Sequence, residues 1–165
     1  MRLTRLLRHL LLPDWWLLRP FSRRLLQRIE EAVVASEATH LGELRLVVEG
    51  NLPLASVWRD QTPRMRAIEL FAQLGVWDTE CNSGVLIYLQ LIDRRVEIVA
   101  DRGIHACLGQ PFWDAVCRQM EGAFQSGDFE NGTLRALETI STALRDHFPA
   151  LSANPDELPN APLLL

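Results

Sequence analysis

Apolar residues recur along the chain with a helical period in some stretches and a strand period in others, and the switches between the two lay out an order of elements. Leu3, Leu6, Leu7, Leu10 and Leu11 repeat at i, i+3, i+4, i+7 and i+8, with Arg2, Arg5, Arg8 and His9 largely off that stripe. This predicts a short, basic, amphipathic helix. Pro13 ends it, and Trp15, Trp16, Leu17 and Leu18 add an apolar patch flanked by Arg19. Ser22 is placed to cap a helix running to about residue 38 with Leu25, Leu26, Ile29 and Val33 on one face. Over about residues 43–49, Leu44, Leu46 and Val48 alternate with Arg45, Val47 and Glu49. That pattern predicts a strand with one buried face, stopped by Gly50-Asn51.

Thr62-Pro63 is a cap followed by proline at the first helical position, and Ile68, Phe71 and Leu74 mark the inner stripe until Gly75. The unbroken apolar run Gly84–Ile92 predicts a central strand covered on both faces. Asp93-Arg94 then turns the chain into Arg95–Ala100, where Val96, Ile98 and Ala100 alternate with Arg95, Glu97 and Val99, giving a hairpin. A loop is expected at 101–110. Pro111 opens a helix with Phe112, Val116, Met120, Ala123 and Phe124 inward, and a last helix spans about 132–147 with Leu134, Leu137, Ile140 and Leu144 inward.

A strand–helix–strand unit makes the first two strands parallel through a right-handed crossover, and the hairpin sets the third antiparallel. The expected class is therefore α/β: a three-layer sandwich with a small mixed sheet of three to four strands flanked by about four helices. The expected organisation is a basic amphipathic segment at 1–21, one α/β domain at 22–148, and a flexible tail at 149–165 holding Pro149, Pro155, Pro159 and Pro162. Because the core stripes are complete without them, residues 1–19 are expected to be removable without unfolding the domain. Trp58, Trp77 and Trp113 are expected to pack rather than to stack on a ligand.

Charge changes the picture in two ways. Residues 1–28 carry seven arginines against Asp14 alone, whereas the rest of the chain sets ten arginines against twenty carboxylates. An acidic domain repels a phosphate backbone, so nucleic acid is not an expected partner. All 17 basic residues are arginine, which excludes Schiff-base chemistry and a phosphate-loop lysine. Cys81, Cys107 and Cys117 form no C-x-x-C pair and signal neither a disulfide framework nor a zinc knuckle. Pro13, Asp14 and Arg19 break the N-terminal apolar stretch and no small-residue cleavage site follows, so the expected location is cytoplasmic, with peripheral attachment to the inner membrane through the first helix. Packing of that helix on its own domain or on a second subunit explains the same pattern.

From Arg66 to Phe148 the chain resembles the TPM-domain family, whose members include a thylakoid-lumen phosphatase-like protein, a photosystem II repair factor and a nematode receptor-associated membrane protein. The residues that carry the resemblance are Ala67 and Phe71, Asn82-Ser83-Gly84-Val85-Leu86, Asp93-Arg94, Gly103-Ile104, and Phe124 with Gly127-Asp128-Phe129 and Gly132. The resemblance implies an acid-phosphatase-like, metal-dependent phosphomonoesterase. Where many members carry an acidic residue followed by Thr-Gly-aromatic-Gly, this chain has Val99-Ala100-Asp101-Arg102-Gly103. That departure favours a non-catalytic interaction module, which docks on an anionic membrane surface or a membrane-associated protein.

Two ends of the expected sheet collect chemistry. One gathers Glu37, His40, Glu43, Asp78, Glu80, Asn82, Asp101, Arg102 and His105. Within it, Glu37, His40, Asp78 and Asp101 are candidate ligands for a hard divalent cation, calcium or magnesium, and Asn82, Arg102 and His105 are candidate ligand-binding residues. The other end holds Asp93 and Arg94, the candidate catalytic pair, where the ligand rule for open α/β sheets points. Asp in a hairpin turn is also ordinary turn chemistry. No G-x-S-x-G or H-E-x-x-H motif occurs. Nothing in the sequence sets an oligomeric state.

Overall fold

In the computed structural model the described residues are 2–150 and 156–165, with the side chains of Arg2, Leu3 and Leu6 left out. The expectations for those three side chains and for Pro155 therefore lie outside the described residues. Helix α1 (Arg2–Leu11) and the single turn α2 (Asp14–Leu17) lead into α3 (Arg23–Glu37). Ser22 caps α3 by accepting from the Leu25 amide. Strand β1 (Leu44–Glu49), the short helix α4 (Leu54–Trp58), α5 (Pro63–Gln73) and β2 (Val85–Gln90) form the crossover unit. Thr62 caps α5 with Pro63 in its first turn. β2 pairs in parallel with β1 and antiparallel with β3 (Arg95–Ala100), Asp93 and Arg94 making the turn with Arg94 at φ 51°.

Residues 101–110, expected as a loop, hold instead α6 (Arg102–Leu108), which starts where the Asp101 carboxylate accepts from the Arg102 amide and ends at Gly109. Gly103 in its first turn hides the helix from a propensity reading, because glycine is a poor helix former. Here Gly103 is needed for contact: a Cβ would stand 2.5 Å from the Asn82 carbonyl oxygen. Helices α7 (Gln110–Gln125) and α8 (Phe129–His147) follow.

The sheet order is β3-β2-β1-β4, and β4 (Leu163–Leu164) is parallel to β1. Helices α3, α6, α7 and α8 cover one face over a core that includes Ile29, Leu46, Ile87, Trp113, Met120 and Ile140. Helix α5 covers the other face, over Val47, Ala67, Leu70, Val76, Leu86, Tyr88 and Val99. The three-layer α/β sandwich is thus the architecture of the chain; α1, α2, α4 and α6 are short additions to the four longer helices of the two outer layers.

Three details differ from expectation. First, β1 is buried along all six residues. Its polar alternates escape the cost of desolvation by pairing: Arg45 donates to the carbonyls of Pro159 and Ala161, and Glu49 meets Arg66 and Tyr88. Secondly, the C-terminal segment, expected to be loose, returns to the sheet. Leu165 donates to the Val48 carbonyl and accepts from the Gly50 amide, so β1 gains a neighbour on its open edge. Thirdly, α5 is rotated so that Ala67 and Leu70 face the sheet and Ile68 is left 50% exposed. Of the tryptophans, Trp113 packs as expected, whereas Trp58 and Trp77 are exposed.

Candidate functional site

At the carboxyl ends of β1 and β2, the position that ligands favour in open α/β sheets, helix α1 closes over the turn. The Arg5 guanidinium forks onto Asp93, with Nη2 2.6 Å from Oδ2 and Nε 3.0 Å from Oδ1, and Nη2 also donates to the Gln61 carbonyl at 2.9 Å. His9, buried, accepts the Leu52 amide on Nδ1 at 3.0 Å, which in the neutral ring puts the proton on Nε2, 3.6 Å from Asp93 Oδ1. That separation is too long for a hydrogen bond, and the contact is electrostatic. Burial pushes the Asp93 carboxyl up, but the His9 ring and the Arg5 guanidinium outweigh it and hold the group at about 2. Asp93 is thus a paired, permanently ionised carboxylate. Arg94 points no chemistry at it: it occupies the left-handed turn position and is exposed.

The expectation that residues 1–19 are dispensable meets these contacts. Without α1, Asp93 and the Leu52 amide lose their buried partners. Arg5→Ala and Asp93→Asn, each alone and together, should reveal a coupling of about 1 to 3 kcal/mol in a double-mutant cycle read by urea unfolding. A coupling near zero would show the pair to be inconsequential.

Next to this turn lies a buried network that alternation on β1 only hinted at. Glu49 is 2% exposed and takes three bonds from Arg66, two on Oε1 and one on Oε2, and the Tyr88 hydroxyl also donates to Oε2. Arg66 reaches Glu69 as well. Burial first, and then the Glu49 charge, push the Tyr88 phenol far up, so it stays a donor.

The opposite end of the sheet is arranged differently from the expected metal set. His40 is fully buried and uses both ring nitrogens: Nδ1 accepts from the Gly42 amide at 3.2 Å, so the ring proton sits on Nε2 and points to Ser36 Oγ at 2.7 Å. Burial pushes it down to about 4. A neutral, doubly bonded imidazole holds the α3–β1 corner and offers no lone pair to a metal. Asp78 is exposed, and its amide donates to Gly75 in a turn. Asp101 caps α6, with its second oxygen buried and unpartnered. Asn82, at φ 51°, accepts from Arg102 Nε at 3.1 Å and receives the Gly103 and Ile104 amides on its carbonyl, while His105 is half-buried within α6. Asn82 and Arg102 are therefore joined to each other, in a corner that ties the start of β2 to α6.

Of the expected metal set, Glu37 alone belongs to the acidic group that the fold brings together. Glu37, Glu43 and Asp156 each place a carboxylate oxygen within 4.8 Å of the others. Burial, more than their mutual repulsion, raises Glu37 to about 8 and Glu43 to about 7. Asp156 comes from the C-terminal segment, and no periodicity in the sequence points to it.

A third feature is apolar. Leu10, Leu11, Trp15 and Trp16 are 52–74% exposed along α1 and α2, and Trp58 on α4, which packs against α1, is 78% exposed. Arg8, Arg19, Arg23, Arg24 and Arg59 are exposed on these elements and their flanks. A surface concavity lies elsewhere, between α7 and α8, lined by Gln119, Asp128, Arg135 and Thr139 among others.

The fold has solved counterparts. The BA42 protein from the psychrophilic bacterium Bizionia argentinensis is 27% identical, with a TM-score of 0.76 over 87% of this chain and 94% of its own. The N-terminal domain of a protein from P. gingivalis shares the fold at 19% identity, with a TM-score of 0.63 over 79% of this chain and 82% of its own. Among curated proteins none matches. Two glycines of the sequence motif are packing devices: Gly84 lies so close to the Val76 carbonyl that a Cβ would stand 1.9 Å from it, and Gly132 lets α7 and α8 meet. The model of the TPM domain matches residues 20–143, from the end of the N-terminal segment through most of α8, and the chain belongs to the TPM-domain family.

Proposed function

We infer that this protein is a non-catalytic TPM module that docks on an anionic phospholipid surface through α1, α2 and α4. The observation that carries the reading is the row of exposed apolar side chains Leu10, Leu11, Trp15, Trp16 and Trp58, set among exposed arginines. Tryptophan favours the lipid–water boundary, where its ring is buried and its N–H remains wet, and arginines near an anionic surface add about 1 kcal/mol each. Among the described residues no helix is long and apolar enough to cross a membrane, so the attachment is one of lying on the surface. Arg5 takes no part in lipid contact because Asp93 holds it, and this pairing fixes α1 with its apolar side outward.

The phosphomonoesterase alternative draws less support. Asp93 is engaged by Arg5, His40 by Ser36 and Gly42, and Asp101 by its helix cap. Each of these three side chains thus has at least one structural partner.

Co-sedimentation with vesicles of phosphatidylglycerol and phosphatidylcholine tests the reading. Binding should occur, fall at raised salt, be much weaker on pure phosphatidylcholine, and be lost in Trp15→Ala/Trp16→Ala/Trp58→Ala. These positions are exposed, so the variant should keep its melting temperature. No binding, binding indifferent to the triple substitution, or self-association of the native chain through the same face would overturn the reading.

A further inference from the structure

Gly50, the first residue after β1, is touched from two sides. From one, α2 packs on it: a Cβ at Gly50 would stand 2.6 Å from Asp14 Oδ1 and 3.6 Å from Leu17 Cδ1, and Asp14 accepts from the Asn51 amide at 3.1 Å and from Asn51 Nδ2 at 2.7 Å. From the other, the Gly50 amide donates to the Leu165 carbonyl at 2.9 Å. The C-terminal strand β4 and the tryptophan-bearing α2 therefore meet at one residue. Leu163 packs against the cluster under α5, yet Leu164 and Leu165 are 37% and 39% exposed. The segment that carries them is polarised along the edge of β1. Its near part holds the exposed acids Asp156 and Glu157, and the amides of Glu157 and Leu158 donate to Glu43, just before β1. Its middle is held by Arg45, a buried residue whose guanidinium donates to the carbonyls of Pro159 and Ala161. Its far part lies at Gly50, about 23 Å from Glu43 along an extended chain. Acids and leucines thus sit at opposite ends of the strap.

We propose that Leu164 and Leu165 form a second arm of the lipid-facing surface, beside Trp15 and Trp16, and that Arg45 positions this arm; the proposal rests on the docking reading above. Half-exposed leucines lose their remaining water when laid against acyl chains, and an anionic surface that repels Asp156 and Glu157 accepts the apolar end of the same strap. The arm is this chain's own addition, because β4 lies beyond residue 143, where the family match ends. β4 is only two residues long and is tied by few bonds, among them the Leu165 amide on the Val48 carbonyl at 2.9 Å. Lipid contact at the leucines adds to what holds it, so lipid binding and the pairing of β4 with β1 favour each other. Arg45 touches no lipid in this arrangement. It precedes Gly50 by about 16 Å of strand and acts by fixing the Pro159 and Ala161 carbonyls, which sets where the leucines emerge.

The test uses the full chain with vesicles of phosphatidylglycerol and phosphatidylcholine, read by co-sedimentation and by amide hydrogen exchange. Leu164→Ser/Leu165→Ser should weaken binding roughly fivefold to twentyfold, at raised salt as at low salt, because the lost contribution is apolar. On the native chain, vesicles should slow exchange of the Leu165 amide and leave that of the Gly127 amide, bonded to Phe124 between α7 and α8, unchanged. Arg45→Met should speed Leu165 exchange in the absence of vesicles and weaken binding as far as the leucine variant does. Arg45→Lys, which still offers donors to the carbonyls, should recover most of the affinity. Absence of vesicle binding by the native chain overturns the docking reading and the arm together. Where the native chain binds and the tryptophan variant does not, affinity of the leucine variant within about twofold of native overturns the arm alone. Leu165 exchange indifferent to vesicles does the same, and being read on the native chain it decides the matter even where a variant fails to fold. Native affinity in Arg45→Met overturns the positioning role.

Discussion

Arg66→Ala is expected to cost about 3 to 5 kcal/mol and to lower the melting temperature by roughly 10 °C. The reason lies in what remains. Glu49 is 2% exposed in β1, with Arg66 on one side and the Tyr88 hydroxyl on the other. Truncating Arg66 removes the countercharge while leaving the carboxylate in a medium where solvation is poor, so the penalty is that of an unpaired buried ion rather than of one lost bond. Tyr88→Phe removes a neutral donor to a charged acceptor and should cost less, about 1.5 to 3 kcal/mol. Replacing both ends, as in Glu49→Leu/Arg66→Met, should restore much of the loss, because apolar groups of similar size need no partner. Urea unfolding of the four proteins decides it; a loss below about 1 kcal/mol in Arg66→Ala would mean that water reaches Glu49.

The layers of the fold were legible because local and long-range signals agree in them. Ser22 and Thr62 are both predicted and observed caps, and the unbroken run around Ile87 becomes a strand flanked on both edges and covered on both faces. Where alternation failed, a distant partner had changed the meaning of a polar residue. Arg45 and Glu49 read as a solvated face, yet both are buried, one against carbonyls more than a hundred residues away and one against Arg66 and Tyr88. Two polar residues at alternate positions of an otherwise apolar strand were the available sign that something covers that edge.

The site was less legible for the same reason. His40 looked like a ligand by spacing, but its position at the α3–β1 corner gives it Ser36 and Gly42 as partners. Asp93 looked catalytic by topology, but Arg5, 88 positions earlier, occupies it. Glu37 was singled out from the sequence, but Asp156, which the fold sets near it, was not, because proline-rich composition predicts a loose tail and carries no information about Glu43 and Arg45 waiting at an edge.

Stability should fall by about 2 kcal/mol between pH 6.5 and 8. An acid whose folded-state pKa is raised binds its proton more tightly when folded, so its contribution is complete below the unfolded value and is lost as pH rises through the folded one. Burial moves Glu37 from 4.5 to about 8 and Glu43 from 4.5 to about 7, so both lose their contribution as the solution passes neutrality. His40 acts in the other direction at lower pH. Its ring, held at about 4 against 6.5, favours the folded state increasingly as pH rises to 6.5 and adds no slope above that. Asp93, held at about 2, acts only under acid conditions, and burial of Cys117, pushed up to about 12, acts only above the window. Urea unfolding should therefore show a decline across this window that Glu37→Gln/Glu43→Gln removes. A flat profile would mean that water solvates both carboxylates.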